Sequence, residues 1–223
     1  MLKKGRTATW ICVAALFALN LAPCCGTAHA GVEEDYAEGY LRYQRNDFTH
    51  SIPLMRRAAD AGHVKAMVVL ATMLDAAEVD EEAAQYYRKA ADAGNLDGVY
   101  GLATMYASGD GVKKDVHEAR KLILRAAEGD HLQSIWVLAQ AYIRGELGIP
   151  DAERNGSDAL KWVNQAAERD FLPALEALEK AYRTGTGYGL ATNLAKADEL
   201  KKRIDKISGV VEKKTRRRGE KKQ

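Results

Sequence analysis

A repeat of 32 to 40 residues constrains the fold of this chain more than any other feature. Ala58-Ala59-Asp60-Ala61-Gly62 returns as Ala90-Ala91-Asp92-Ala93-Gly94, then as Ala126-Ala127-Glu128-Gly129-Asp130 and Ala166-Ala167-Glu168-Arg169-Asp170. Twelve residues after each Ala-Ala pair begins, a second signature follows in the same register. It reads Leu70-Ala71-Thr72-Met73-Leu74, Leu102-Ala103-Thr104-Met105-Tyr106, Leu138-Ala139-Gln140-Ala141-Tyr142 and Leu178-Glu179-Lys180-Ala181-Tyr182. Two signatures keeping one offset through four copies mark an array of stacked units, because a unit this short cannot bury its apolar face alone. The chain has 37 alanines against 4 prolines and 3 phenylalanines, which favours helix over sheet.

Each copy predicts two helices. In the first, here helix A, a small residue (Ser51, Ala83, Ala119, Ala159) is followed three places on by a large one (Leu54, Tyr86, Leu122, Trp162). With the Ala-Ala pair at positions 8 and 9, this makes one helical face at positions 1, 4 and 8. Gly62 and Gly94 end helix A in a left-handed conformation that costs least without a Cβ. The fourth copy has Arg169 there and no glycine, which predicts a less regular turn. Helix B starts about two residues later, and Pro173 suits that first turn. The drifting period comes from loops after helix B: Gly109–Val112 with Asp115 as N-cap, Gly145–Pro150 with Ser157 or Asp158, and Gly185–Gly189 with Thr192 or Asn193. The first copy has no such loop. Residues 33–46 predict a lone helix with Tyr36, Tyr40 and Tyr43 on one side. Ala197, Leu200 and Ile204 repeat the 1-4-8 spacing in a final capping helix.

These residues, A-x-x-L/W-x-x-x-A-A-x-x-G followed by L-x-x-x-Y-x-x-G-x-G-V-x-x-D-x-x-x-A, resemble the Sel1-like repeat family, relatives of the tetratricopeptide repeats. The likeness covers about residues 33–207, with residues 83–119 matching best. It implies an all-α fold: a right-handed α-solenoid of about four helix-pair repeats with a capping helix at each end. The repeats fall at roughly 47–78, 79–110, 111–150 and 151–190, with a C-terminal cap at 191–208. The resemblance also implies protein–protein interaction, often by exported adaptors or regulators in the bacterial envelope. It allows an enzymatic alternative, an envelope hydrolase. The disulfide-bearing branch of the family does not transfer, because Cys12, Cys24 and Cys25 all precede the repeats.

The first thirty residues read as an address. Lys3, Lys4 and Arg6 precede an apolar run from Trp10 to Leu19, and Ala28-His29-Ala30 places small residues at the third and first positions before a cut. This predicts a signal peptide, 1–30, cleaved before Gly31, and a periplasmic or extracellular protein. An uncleaved anchor and a lipoprotein attached at Cys24 are the weaker alternatives. Residues 31–208 carry net charge −6 and residues 209–223 carry +5. The tail, with Lys213, Lys214, Arg216, Arg217 and Arg218, predicts disorder. It could contact anionic lipid or a surface polymer, and nucleic acid is a poor fit for an exported chain.

No catalytic, metal or cofactor motif emerges. There is no H-E-x-x-H, no G-x-S-x-G and no phosphate loop behind a strand. His63 and His131 occupy one repeat position and read as solvated turn residues, too far apart to share a metal. The candidate partner-binding row lies at positions 6 and 7 of helix A: Arg56 and Arg57, Arg88 and Lys89, Arg125, then Lys202 and Arg203 in the cap. Stacking makes these a basic stripe along the groove, suited to an acidic segment of a partner protein. The plain alternative is that cations suit the C-terminal half of a helix.

Overall fold

The computed structural model describes residues 24–220, with side chains described for 31–209. Ten α-helices make up the described residues: α1 (Cys24–Gln44), α2 (Phe48–Asp60), α3 (Val64–Ala76), α4 (Asp80–Asp92), α5 (Leu96–Ser108), α6 (Val116–Glu128), α7 (Leu132–Arg144), α8 (Ser157–Glu168), α9 (Leu172–Thr184) and α10 (Leu194–Glu220). Helices α2, α4, α6 and α8 are the A helices, and α3, α5, α7 and α9 their B partners. Helix α1 stands where a preceding B helix would, and α10 where a fifth A helix would.

Every A helix is wedged between the B helix before it and its own B helix. Small residues permit this. Ser51, Ala83, Ala119, Ala159 and Ala197 at position 1 are fully buried, as are Ala58, Ala90, Ala126 and Ala166 at position 8. The Ser51 hydroxyl finds a partner in that close contact, donating 2.7 Å to the Gly39 carbonyl of α1. Positions 5 and 9 are buried too. Met55, Tyr87, Ile123 and Val163, followed by Ala59, Ala91, Ala127 and Ala167, complete a stripe broader than the 1-4-8 face. That stripe must be broad because each A helix meets two B helices.

The A-to-B turn is the same in all four copies, contrary to the expectation for the fourth. The left-handed residue is Gly62, Gly94, Asp130 and Asp170 in turn. The next backbone N–H then bonds a carbonyl of the helix in each case: His63 to Ala58, Asn95 to Ala90, His131 to Ala126, Phe171 to Ala166. Gly129 lies one place before the slot, at φ −80°. Aspartate tolerates the left-handed region because its short polar chain bonds locally, so Arg169 leaves the turn regular.

Asp115 caps α6, accepting from the backbone of His117 and Glu118 at 3.0 Å. Asn193 caps α10, accepting from Lys196 N–H at 3.1 Å. The α8 cap departs from both candidates: Gly156 occupies it, and neither Ser157 nor Asp158 does. Two further departures concern the ends. Helix α1 begins at Cys24, ahead of residue 33, so Ala28 and Ala30, where the sequence predicts a cut, lie in a segment of helical backbone whose side chains are not described. Helix α10 runs on to Glu220 where disorder was expected beyond 208. A helix already nucleated by packing extends cheaply through lysine, arginine and glutamate. Lys221 and Lys222 lie outside the described residues. So does the apolar run 10–19. Among the described residues no helix is long and apolar enough to cross a membrane.

Candidate functional site

The exposed surface of the A helices repeats with the array. Positions 3, 7 and 10 are open to solvent or half-buried in every copy: Pro53, Arg57 and Asp60 on α2, for example, and Lys161, Gln165 and Glu168 on α8. The basic row at positions 6 and 7 lies on this surface, but most of its members are already partnered.

Arg57 donates to Asp35 of α1 through Nε at 2.8 Å, with a second contact through Nη2. That hydrogen bond holds the Asp35 carboxyl below its ordinary range. Arg56 reaches both carboxylate oxygens of Glu82 on α4, the second at 3.2 Å. Arg125 donates to the Ala91 carbonyl at the end of α4, at 3.2 Å. Arg203 donates to Asp170 at 2.6 Å and to the Glu168 carbonyl at 2.9 Å. Arg169, outside the row, pairs with Asp130 of the preceding copy. These arginines cross from one repeat to another. Arg169 and Arg203 neutralise the acid in the left-handed slot, and Arg125 and Arg203 meet carbonyls at a helix C-terminus, where the dipole favours cations.

The remaining members are more open. Arg88 is exposed and donates to the Tyr106 hydroxyl at 3.1 Å. The Lys89 ammonium lies 4.6 Å from the Tyr86 ring centroid. Lys202 is exposed on α10. The backbone of α10 carries Lys213, Lys214, Arg216, Arg217 and Arg218 in helix, with side chains outside the described set.

His63 and His131 are not solvated turn residues. Each caps a B helix, its ring Nδ1 accepting from Ala66 N–H at 3.1 Å or Ser134 N–H at 3.2 Å. Each Nε2 faces an acid of the copy before, Glu33 at 3.2 Å and Asp97 at 3.1 Å. Each ring also packs on a tyrosine, Tyr36 at 4.1 Å and Tyr100 at 5.3 Å. In the fourth copy Phe171 stacks on Trp136 instead, at 5.3 Å. One position thus ties three of the four turns to the repeat before it. Their shared place after the left-handed residue was the signal, since Asn95 there is a plain N-cap.

The A-helix surface opens into a cleft of about 200 Å³ between α8 and α10, over α9. Asn164, Glu168, Tyr182, Lys196 and Arg203 line it above Leu178 and Leu200. No three histidine, cysteine, aspartate or glutamate side chains among the described residues are placed to hold a metal ion.

The Sel1 repeat family model matches residues 20–63, 74–95, 96–131 and 133–171. Its 96–131 match spans α5 and α6, so the family frames its unit from a B helix through the next A helix. A Sel1 repeat protein from Oxalobacter formigenes is 26% identical, with a TM-score of 0.61 over 79% of this chain and 72% of its own. A protective antigen present in uropathogenic Escherichia coli strains, displaying an SLR fold, is 24% identical with a TM-score of 0.70. That likeness, over 81% of this chain, shows the fold, and the chain spans 39% of the antigen's length. No curated protein matches the chain.

Proposed function

The chain belongs to the Sel1 repeat family, whose fold commonly serves as a protein-interaction scaffold, and from that premise we propose that it is an exported docking scaffold of the cell envelope. It binds one partner protein along the exposed faces of its A helices and acts as an adaptor or regulator. The observation that carries this reading is the outward face at positions 3, 7 and 10, presented in register by every copy. Such a face offers an extended surface of fixed spacing. Export rests on the basic start, the apolar run and Ala28-His29-Ala30.

The basic row contributes in a narrower form. Arg56, Arg57, Arg125 and Arg203 chiefly staple neighbouring repeats, whereas Arg88, Lys89 and Lys202 present charge outward. An acidic partner segment meets those three.

Crosslinking in intact source cells, followed by affinity capture and mass spectrometry, tests the proposal. The expected result is one dominant envelope protein, captured equally by the full chain and by a version ending at Ser208. Arg88→Glu should weaken that capture. Capture lost with residues 209–223 would move the function to the tail, and capture of no protein would reject the scaffold.

A further inference from the structure

The grooves between successive A helices differ in one respect. In the first, Arg56 at position 6 of α2 pairs with Glu82, the residue just before position 1 of α4. Across the same groove Tyr86, at position 4, donates to Asp60 at 2.7 Å. The groove is closed by its own side chains. The residue before position 1 is acidic again in the next two A helices, as Glu118 and Asp158. In α10 it is Lys196, and position 6 opposite it is Asn164. Position 4 is Leu200, smaller than Tyr86 or Trp162. An open cleft lies between α8 and α10 at this place.

Both members of the closing pair are altered here. An amide and an ammonium line the cleft where the first groove has a guanidinium and a carboxylate. Among the described residues the side chains of Asn164, Glu168 and Glu199 make no hydrogen bond or ion pair. Lys196 only overlies the Tyr182 ring, 5.1 Å from its centroid. The floor is apolar: Ala167, Leu178 and Leu200.

Resting on the docking reading above, we propose that this cleft anchors a partner segment in which a single acidic side chain adjoins an apolar one. The partner's aspartate or glutamate replaces the carboxylate that Glu82 supplies in the first groove, accepting from Asn164 Nδ2 and Lys196 Nζ. These charge-assisted bonds fix its direction. The adjoining apolar side chain covers the floor. Glu168 and Glu199 on the rim repel further acids, so the segment carries one acid and not an acidic run.

The test is a titration of the isotope-labelled full chain with N-acetyl-Leu-Glu-amide, followed by amide chemical shifts. N-acetyl-Leu-Gln-amide and N-acetyl-Leu-Glu-Glu-amide are the comparison probes. The expected shifts cluster at residues 164–168, 178–182 and 196–203, with binding at least tenfold weaker for the glutamine probe and no gain for the second acid. The double variant Asn164→Arg with Lys196→Glu rebuilds the first groove's pair. It should keep its unfolding midpoint and lose the shifts. Shifts that persist in this variant, that the glutamine probe matches, or that never arise overturn the proposal. Cellular capture separates the two readings. A partner retained by the double variant overturns the cleft and leaves the scaffold standing. If the wild-type chain captures nothing, the scaffold falls and the titration alone decides the cleft.

Discussion

Asp75 lies on α3 beneath the turn into α4. Burial, then the nearby charges of Asp80 and Asp110, pushes its carboxyl above the ordinary value of 3.8. A raised acid favours the folded state fully only below its unfolded pKa, and that contribution is lost as pH rises through the higher folded value. At neutral pH the charged Asp75 therefore opposes folding. Asp75→Asn should raise the thermal midpoint at pH 7, and the gain should vanish below about pH 4, where both forms are neutral. Equal midpoints at pH 7 would reject this. Tyr86 illustrates the same physics with a structural benefit. Burial, then its hydrogen bond to Asp60, pushes the phenol up to about 12, so it stays protonated and donates across the groove.

The terminal helices end the array through charge. In the internal B helices Leu70, Leu102 and Leu138 at position 7 are buried. The corresponding residue of α1 is Glu38, paired with Arg42 at 2.7 Å. In the A helices position 5 is apolar and position 9 alanine, facing their own B helix. In α10 these are Lys201 and Asp205, paired at 2.8 Å. Each i,i+4 pair stabilises its own helix only slightly, because both charges stay in water. Its larger effect is to make docking of another helix costly, because both charges would lose water. Lys201→Val with Asp205→Ala copies Val163 and Ala167 of α8 onto this end. The variant should self-associate with rising concentration in sedimentation velocity, relative to the wild-type chain. Unchanged sedimentation would show that charge does not terminate the array.

In the molecule as a whole, contacts run between neighbouring helices and little farther. B helices touch the next B helix, α3 with α5 and α7 with α9, A helices meet the next A helix through side chains such as Arg56 with Glu82, and the bulk of the packing is between consecutive elements. Stability in such an array is close to a sum of unit and interface terms. Helix α10 joins it through Leu200, Ile204 and Ile207, which pack on the core, and through the fully buried Ala197. Ending the chain at Ser208 should therefore leave the thermal midpoint of the body unchanged. It removes charge of +5 and with it any salt-dependent binding to vesicles of anionic lipid. A midpoint lowered by several degrees would place the tail within the folded unit.

Local chemistry made the helix pairs, their turns and their caps legible from sequence. A repeat of small, large and small residues can satisfy a helix face in only one way, and Asp115 and Asn193 cap wherever they precede such a face. The sequence alone therefore determined four A–B pairs, an A-like final helix and a row of cations at positions 6 and 7. It could not show what the cations touch, because their partners lie 22 to 35 residues away in the case of Arg57 and Arg203. Stacking brings Asp35 to Arg57 and Asp170 to Arg203, turning much of a presumed binding stripe into staples. The fourth turn lacks the glycine that marks the first two in sequence, but the geometry requires only a residue that tolerates positive φ, and Asp170 does. The cleft was equally hidden. Asn164 and Lys196 are unremarkable 32 residues apart, and only the packing of α10 against α9 sets them across from each other, where their failure to close the groove becomes visible. Periodicity is a local property and is written along the chain, whereas complementarity between surfaces exists only once the repeats are stacked.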